Sequence, residues 1–143
     1  MNIRAIIDAN KHETVLVRAE DTLETAANLL SRNNIGAMPV CDENRKLIGV
    51  LSERDIVRAV AQTPSEIRTL HVADAMTEKV LTCEEESTLL EVMETMNSAF
   101  IRHLPVVRDG QLVGMISLRD AMRYSLSEME NERNVLRDIA ISR

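Results

Sequence analysis

Two seven-residue phrases hold the side chains best suited to chemistry. Gly49-Val50-Leu51-Ser52-Glu53-Arg54-Asp55 recurs as Gly114-Met115-Ile116-Ser117-Leu118-Arg119-Asp120, every position displaced by 65 (114 − 49). A Ser that closes an apolar run and opens a helix sits beside unpaired N–H groups and the positive end of the helix dipole. That is a seat for a phosphate. The Ser hydroxyl can donate to a phosphate oxygen, and Arg54 or Arg119 in the first turn can add a charge-assisted contact. Asp55 and Asp120, three residues past the Ser, offer an acceptor pair suited to two ribose hydroxyls. Gly49 and Gly114 lack a side chain and let a ligand approach the backbone. Together these groups fit a ribose phosphate, hence a nucleotide. Ser-x-x-Asp is also close to a capping box, which stabilises a helix start by about 0.5–2 kcal/mol with no ligand. The residues alone leave both readings open.

The elements that position these phrases are themselves duplicated. Ile35-Gly36-Ala37-Met38-Pro39-Val40 corresponds to Ile101-Arg102-His103-Leu104-Pro105-Val106 at an offset of 66 (101 − 35). The one-residue change of offset falls between Asp42-Glu43-Asn44-Arg45-Lys46 and Arg108-Asp109-Gly110-Gln111, where turns absorb it. Before these runs, Leu23, Ala26, Ala27 and Leu30 share one helical face, as do Leu89, Val92, Met93 and Met96. Asp21 with Glu24, and Thr88 with Glu91, have capping-box spacing. Thr14 to Val17 and Val80 to Cys83 read as short strands. The Met38-Pro39-Val40-Cys41 and Leu47–Leu51 runs read as buried ones. Each copy is therefore predicted as strand, helix, strand, turn, strand, helix, an α/β (α+β) unit of about 50 residues that is too small for a good core alone. Two copies packed through their sheets solve this and create a pseudo-two-fold axis with matching clefts. The expected division is one module over 1–143: repeat one about 3–62, a linker about 63–72, repeat two about 73–124, and an amphipathic C-terminal helix about 125–141.

Composition narrows the function classes. The 143 residues are 45% hydrophobic and 28% charged, which describes a folded globular chain. A net charge of −6 and only two aromatics, Phe100 and Tyr124, argue against a phosphate-tracking or base-stacking nucleic-acid surface. No apolar run approaches a membrane span, and Met1-Asn2-Ile3-Arg4 has no secretory core, so a cytoplasmic protein is expected. Cys41, Cys83 and most of the eight Met read as core fillers. The three His lack metal-site spacing. No nucleophile is paired with a base, there is no Walker lysine, and Arg54 and Arg119 cannot act as bases, so no enzyme is expected.

The doubled unit, with Leu/Met-Pro-Val in its middle and Gly-apolar-apolar-Ser-x-x-Asp before its last helix, resembles a tandem pair of cystathionine β-synthase (CBS) domains. Val72-Ala73-Asp74-Ala75-Met76-Thr77 resembles the lead-in to such repeats, whereas Ile6-Ile7-Asp8-Ala9-Asn10 stands in its place before repeat one. The tail resembles those of two-repeat bacterial members and their organellar plant relatives. The resemblance implies two crossed adenosine sites. Site one would combine Ser117, Arg119 and Asp120 with Thr14, Val15, Ile35 and Gly36. Site two would combine Ser52, Arg54 and Asp55 with Val80, Ile101 and Arg102. Ile35 or Ile101 would cover the adenine, and backbone groups would read its edge. His103 would add charge near a phosphate, unless it is merely a strand-end His. The implied ligand is AMP, ADP, ATP or NAD(H), and the implied assembly is a homodimer that regulates a partner protein. A ligand-free interaction scaffold is the alternative. Because Gly36 leaves room where Arg102 brings bulk, the Ser117/Asp120 site is the expected adenosine seat.

Overall fold

Helix starts follow from their caps. In the computed structural model, which describes residues 2–10 and 14–142, helix α2 (Leu23–Asn33) opens at Thr22, whose hydroxyl accepts from the Thr25 N–H. The cap is thus one residue later than the Asp21–Glu24 spacing implies. Asp21 instead accepts from the Arg18 N–H. Helix α5 (Leu89–Ala99) opens on the expected Thr88–Glu91 capping box. Both helices end on a left-handed residue, Asn34 (φ 52°) and Phe100 (φ 56°). The remaining elements in chain order are α1 (Ile3–Ala9), β1 (Ala37–Cys41), β2 (Leu47–Ser52), α3 (Glu53–Gln62), α4 (Val72–Ala75), β3 (His103–Arg108), β4 (Gln111–Ser117) and α6 (Leu118–Ile141).

The fold is mixed helix and strand, built on two small antiparallel sheets. Their registers are equivalent: Pro39 faces Val50 and Val40 faces Gly49, as Pro105 faces Met115 and Val106 faces Gly114. The expected first strands are reduced to one bridging residue each, Val17 beside Val40 and Cys83 beside Val106. Proline explains why. The carbonyls of Pro39 and Pro105 accept from the N–H groups of Val17 and Cys83, so the N–H that proline lacks would have faced the same neighbouring run, and the ladder stops there. The sheets meet at their turns, where Lys46 bridges Gln111 and Arg45 Nε donates to the Leu112 carbonyl at 3.0 Å.

Each core is completed by a segment from the wrong side of the sequence. Ile3 and Ile6 of α1, which opens repeat one, are buried with Leu89, Val92, Met96, Leu104 and Ile116 of repeat two. Val72 of α4, which opens repeat two, is buried with Val17, Leu23, Met38 and Leu51 of repeat one. The motif glycines serve this exchange and not a ligand. A Cβ on Gly49 would lie 2.9 Å from Met76 Sδ and 3.0 Å from the Thr77 carbonyl oxygen, and one on Gly114 would lie 2.7 Å from Ile7 Cδ1. Residues Ile6 to Ala9, where a lead-in phrase was missing, are helical and bind repeat two. Arg4 and Arg108 both pair with Glu85, which is 6% exposed, and the Arg108 Nε–Oε1 distance is 2.7 Å.

The tail does not begin a helix of its own at 125. It continues α6, a single helix of 24 residues, and from Met129 onward every described residue is exposed. Among the described residues, no helix is long and apolar enough to cross a membrane.

Two outcomes follow from these contacts. Gly49→Ala forces a Cβ against backbone as well as a side chain and is expected to cost about 1–3 kcal/mol, read by urea unfolding; an unchanged midpoint would show that Met76 and Thr77 move aside freely. The second outcome concerns acid. Hydrogen bonding from Arg108, opposed by desolvation and aided by Arg4, holds the Glu85 carboxyl below the usual glutamate range. Its contribution to stability is therefore present above the unfolded-chain value of about 4.3 and is lost as pH falls through the lower folded value. Glu85→Gln should lower the melting temperature at neutral pH, with the gap from the parent protein closing in strong acid. A gap that stays constant across that range would exclude the ion-pair explanation.

Candidate functional site

The two strand-to-helix junctions are built alike at the backbone. Ser52 and Ser117 are the N-caps of α3 and α6, and their hydroxyls accept from the Asp55 and Asp120 N–H groups at 3.2 and 3.1 Å. The first helical N–H of each junction reaches back to the residue leading into the first strand of its sheet, β1 or β3: Glu53 N–H to the Gly36 carbonyl (2.9 Å) and Leu118 N–H to the Arg102 carbonyl (2.7 Å). Strand lead and helix start are thereby held side by side within each repeat.

The carboxylates diverge. Asp55 is 5% exposed. Its Oδ2 accepts from the Ser52 N–H and hydroxyl, and its Oδ1 accepts from Arg58 and from Thr77 Oγ1 at 3.3 Å. Both oxygens are engaged, and the capping reading describes this aspartate. Asp120 accepts at Oδ1 from Arg123 at 3.2 Å, with its side chain 26% exposed. No residue equivalent to Thr77 closes over it among the described contacts.

Asp120 opens into a cleft of about 1970 Å³ between the repeats. Ligand pockets commonly occupy roughly 300–1,000 Å³, so the cleft is wider than one nucleotide needs, and it runs along α6 to Glu130. All seven residues expected for site one line it: Thr14, Val15, Ile35, Gly36, Ser117, Arg119 and Asp120. His103 lines it too. Of the site-two set, only Arg102 does. Ser52, Arg54, Asp55, Val80 and Ile101 are absent from the lining, and Ile101 packs on the repeat-two core instead. A second hollow of about 450 Å³, beside Leu81, Glu91, Glu94 and Ser98, contains none of the expected residues.

Gly36 has a different role from the one expected. A Cβ there would lie 3.2 Å from His103 Cε1 and 3.7 Å from Glu53 Oε2. The missing side chain therefore admits the imidazole of the other repeat. Burial pushes His103 below the usual histidine range, with Glu53 and Asp120 opposing this and Arg102 adding to it. The neutral imidazole is thus the main form at neutral pH. Glu53 itself escaped the motif reading because it occupies the variable position of the phrase. Its one sequence signal is that Leu118 stands at the matching place. Met122, Leu126 and Glu130 also line the cleft, although their sequence pattern suits a core or a tail. The thiols take no part: Cys41 and Cys83 are buried, and desolvation raises the Cys83 pKa to about 11.

Comparison with known proteins decides the family. The CBS-domain model matches residues 6–62 and again residues 72–127. The chain belongs to the CBS-domain family. The protein YlbB of Bacillus subtilis is 38% identical over 125 residues, covering 84% of this chain and 80% of that protein. The mitochondrial CBS domain-containing protein CBSX3 of Arabidopsis thaliana is 32% identical over 117 residues, covering 79% of this chain but 57% of the plant protein. Among solved CBS structures, ATU1752 of Agrobacterium tumefaciens superposes with a TM-score of 0.81 at 32% identity over 87% of this chain and 99% of its own. The CBS pair of MJ0100, in complex with 5′-methylthioadenosine and S-adenosyl-L-methionine, gives 0.78 at 26% identity, covering 90% and 98%. CBSX2 in complex with AMP gives 0.73 at 25% identity, covering 83% and 92%.

The unequal aspartates predict unequal variants. Asp55→Ala removes an acceptor from four donors at a buried position and is expected to cost about 2–4 kcal/mol by chemical denaturation. Asp120→Ala, with its backbone cap intact, should cost less than about 1 kcal/mol. Equal losses would mean that the two caps are equivalent.

Proposed function

We propose that this protein is a regulatory module that binds an adenosine nucleotide, AMP, ADP, ATP or NAD(H), in the cleft at the start of α6. The observation that carries the reading is the pairing of a half-open Asp120 with Arg119, which has no side-chain partner among the described residues, and the Ile35–Gly36 strand lead in one cleft, while Asp55 is fully engaged elsewhere. In the proposed pose, Asp120 takes the ribose hydroxyls. Ser117 and the α6 N-terminus face the phosphate, with Arg119 and Arg102 adding charge. Thr14, Val15 and Ile35 sandwich the adenine. Aliphatic sandwiching without aromatic stacking gives modest affinity and tolerance among adenosine ligands. The complexes of related CBS pairs with AMP and with methylthioadenosine and S-adenosylmethionine support the ligand class. The proposed output is non-catalytic: a homodimer in the cytoplasm whose packing, shifted by differential affinity for two states, acts on a partner protein. The closed Asp55 cap favours the scaffold reading for the Ser52 side alone, so one ligand per chain is expected.

Calorimetry with AMP, ATP and NADH tests the proposal. Binding of at least one of them near one equivalent per chain is expected, with Asp120→Ala weakening it about tenfold or more and leaving the melting temperature nearly unchanged. No heat with any of the three at millimolar concentration would sink the nucleotide reading and leave the scaffold.

A further inference from the structure

We propose that the cleft selects an adenosine ligand carrying a single phosphate group, and that Glu53 sets this limit by repelling a longer phosphate chain. The inference rests on the nucleotide-binding reading of the same cleft and adds to it the charge the ligand must have.

The charges lining the cleft are balanced. Among the described residues, three guanidinium groups border it, from Arg102, Arg119 and Arg123, against the carboxylates of Glu53, Asp120 and Glu130. A seat for a polyphosphate needs a surplus of cations, because a concave site concentrates whichever sign dominates its walls. This cleft has no such surplus. Arg123 is moreover committed: it pairs with Asp120 at 3.2 Å and lies 5.3 Å over the Tyr124 ring. Arg102 and Arg119 make no ion pair among the described residues. Two free guanidinium charges match the dianion of one phosphate monoester.

Glu53 supplies the opposing wall of charge. It stands on the first turn of α3, with Oε2 3.7 Å from the Cβ position of Gly36 and beside the His103 ring. Its side chain makes no hydrogen bond or ion pair among the described residues, so its charge is not neutralised by a local cation. The matching position at the start of α6 is Leu118. The acid is therefore a feature of this cleft and no requirement of the junction. Phosphates added beyond the first approach this solvent-facing carboxylate, and like charges at close range repel.

Calorimetry of the full chain with adenosine, AMP, ADP and ATP, at neutral pH in magnesium-free buffer, tests the proposal. AMP is expected to bind about tenfold or more tightly than ATP, with ADP between them and adenosine weaker than AMP. Glu53→Gln should narrow the AMP-to-ATP ratio to about threefold, mainly by tightening ATP. Glu53→Leu, which installs the residue of the matching position, should do the same, and melting curves report whether each variant is folded. ATP binding as tightly as AMP, or adenosine binding as tightly as AMP, overturns the single-phosphate selection while leaving an adenosine site in place. An unchanged ratio in the folded variants overturns the role of Glu53. If none of the four ligands binds, the nucleotide reading falls and this inference falls with it.

Discussion

The exchange of lead-in segments is the constraint on which the rest of the structure depends. A repeat with two paired strands and two helices cannot close a core by itself. Here each repeat takes its missing apolar residues from the segment that opens the other: Ile3 and Ile6 on one side, Val72 on the other. Glycine is required in both motif phrases because these segments lie directly on β2 and β4. The Arg4–Glu85 ion pair ties α1 into its borrowed place, and Arg108 of β3 fixes the Glu85 carboxylate. Neither half can be finished without the other, so the cleft between them is fixed by the same contacts that fold the chain.

That exchange is also what makes the two junctions unequal. The segment that crosses onto repeat one continues through Thr77, whose N–H and carbonyl bridge Val50 and whose hydroxyl reaches Asp55. The segment that crosses onto repeat two is a helix, and Asn10 at its end meets Tyr124, one turn beyond Asp120. An extended stretch therefore covers Asp55, and among the described residues Asp120 has no matching cover. The chemistry available to each motif depends on what covers it and not on the motif alone.

This explains what the sequence could and could not disclose. The duplicated Pro-Val runs, the helix stripes and the Ser caps are local patterns, and both sheets and both junctions are where the repeat places them. The crossed arrangement of site one was legible only by resemblance to a family, since nothing in the order of residues says that Gly36 and His103 touch. Misreadings arose wherever a gap has two occupants to choose between. Gly36, Gly49 and Gly114 each leave space, and composition cannot say that protein fills it. Glu53 was invisible for the opposite reason, because its position in the phrase tolerates Leu118 in the other copy. The continuity of α6 past Ser125 was hidden by its change from a partly buried to a fully exposed environment.

That continuity has a mechanical consequence. Helix α6 starts at the candidate ligand seat and ends, 24 residues later, in open solvent, a rod of about 36 Å at the standard helical rise. Its outer half presents Met129, Leu136 and Ile139 to solvent. A helix is stiff along its hydrogen-bonded axis, so rotation at one end is conveyed to the other with little loss. A tilt of about 10° at Ser117 displaces the far tip by about 6 Å over that length, more than the width of one strand spacing. The geometry turns an adjustment too small to reshape the cleft into a movement large enough to make or break a contact outside it.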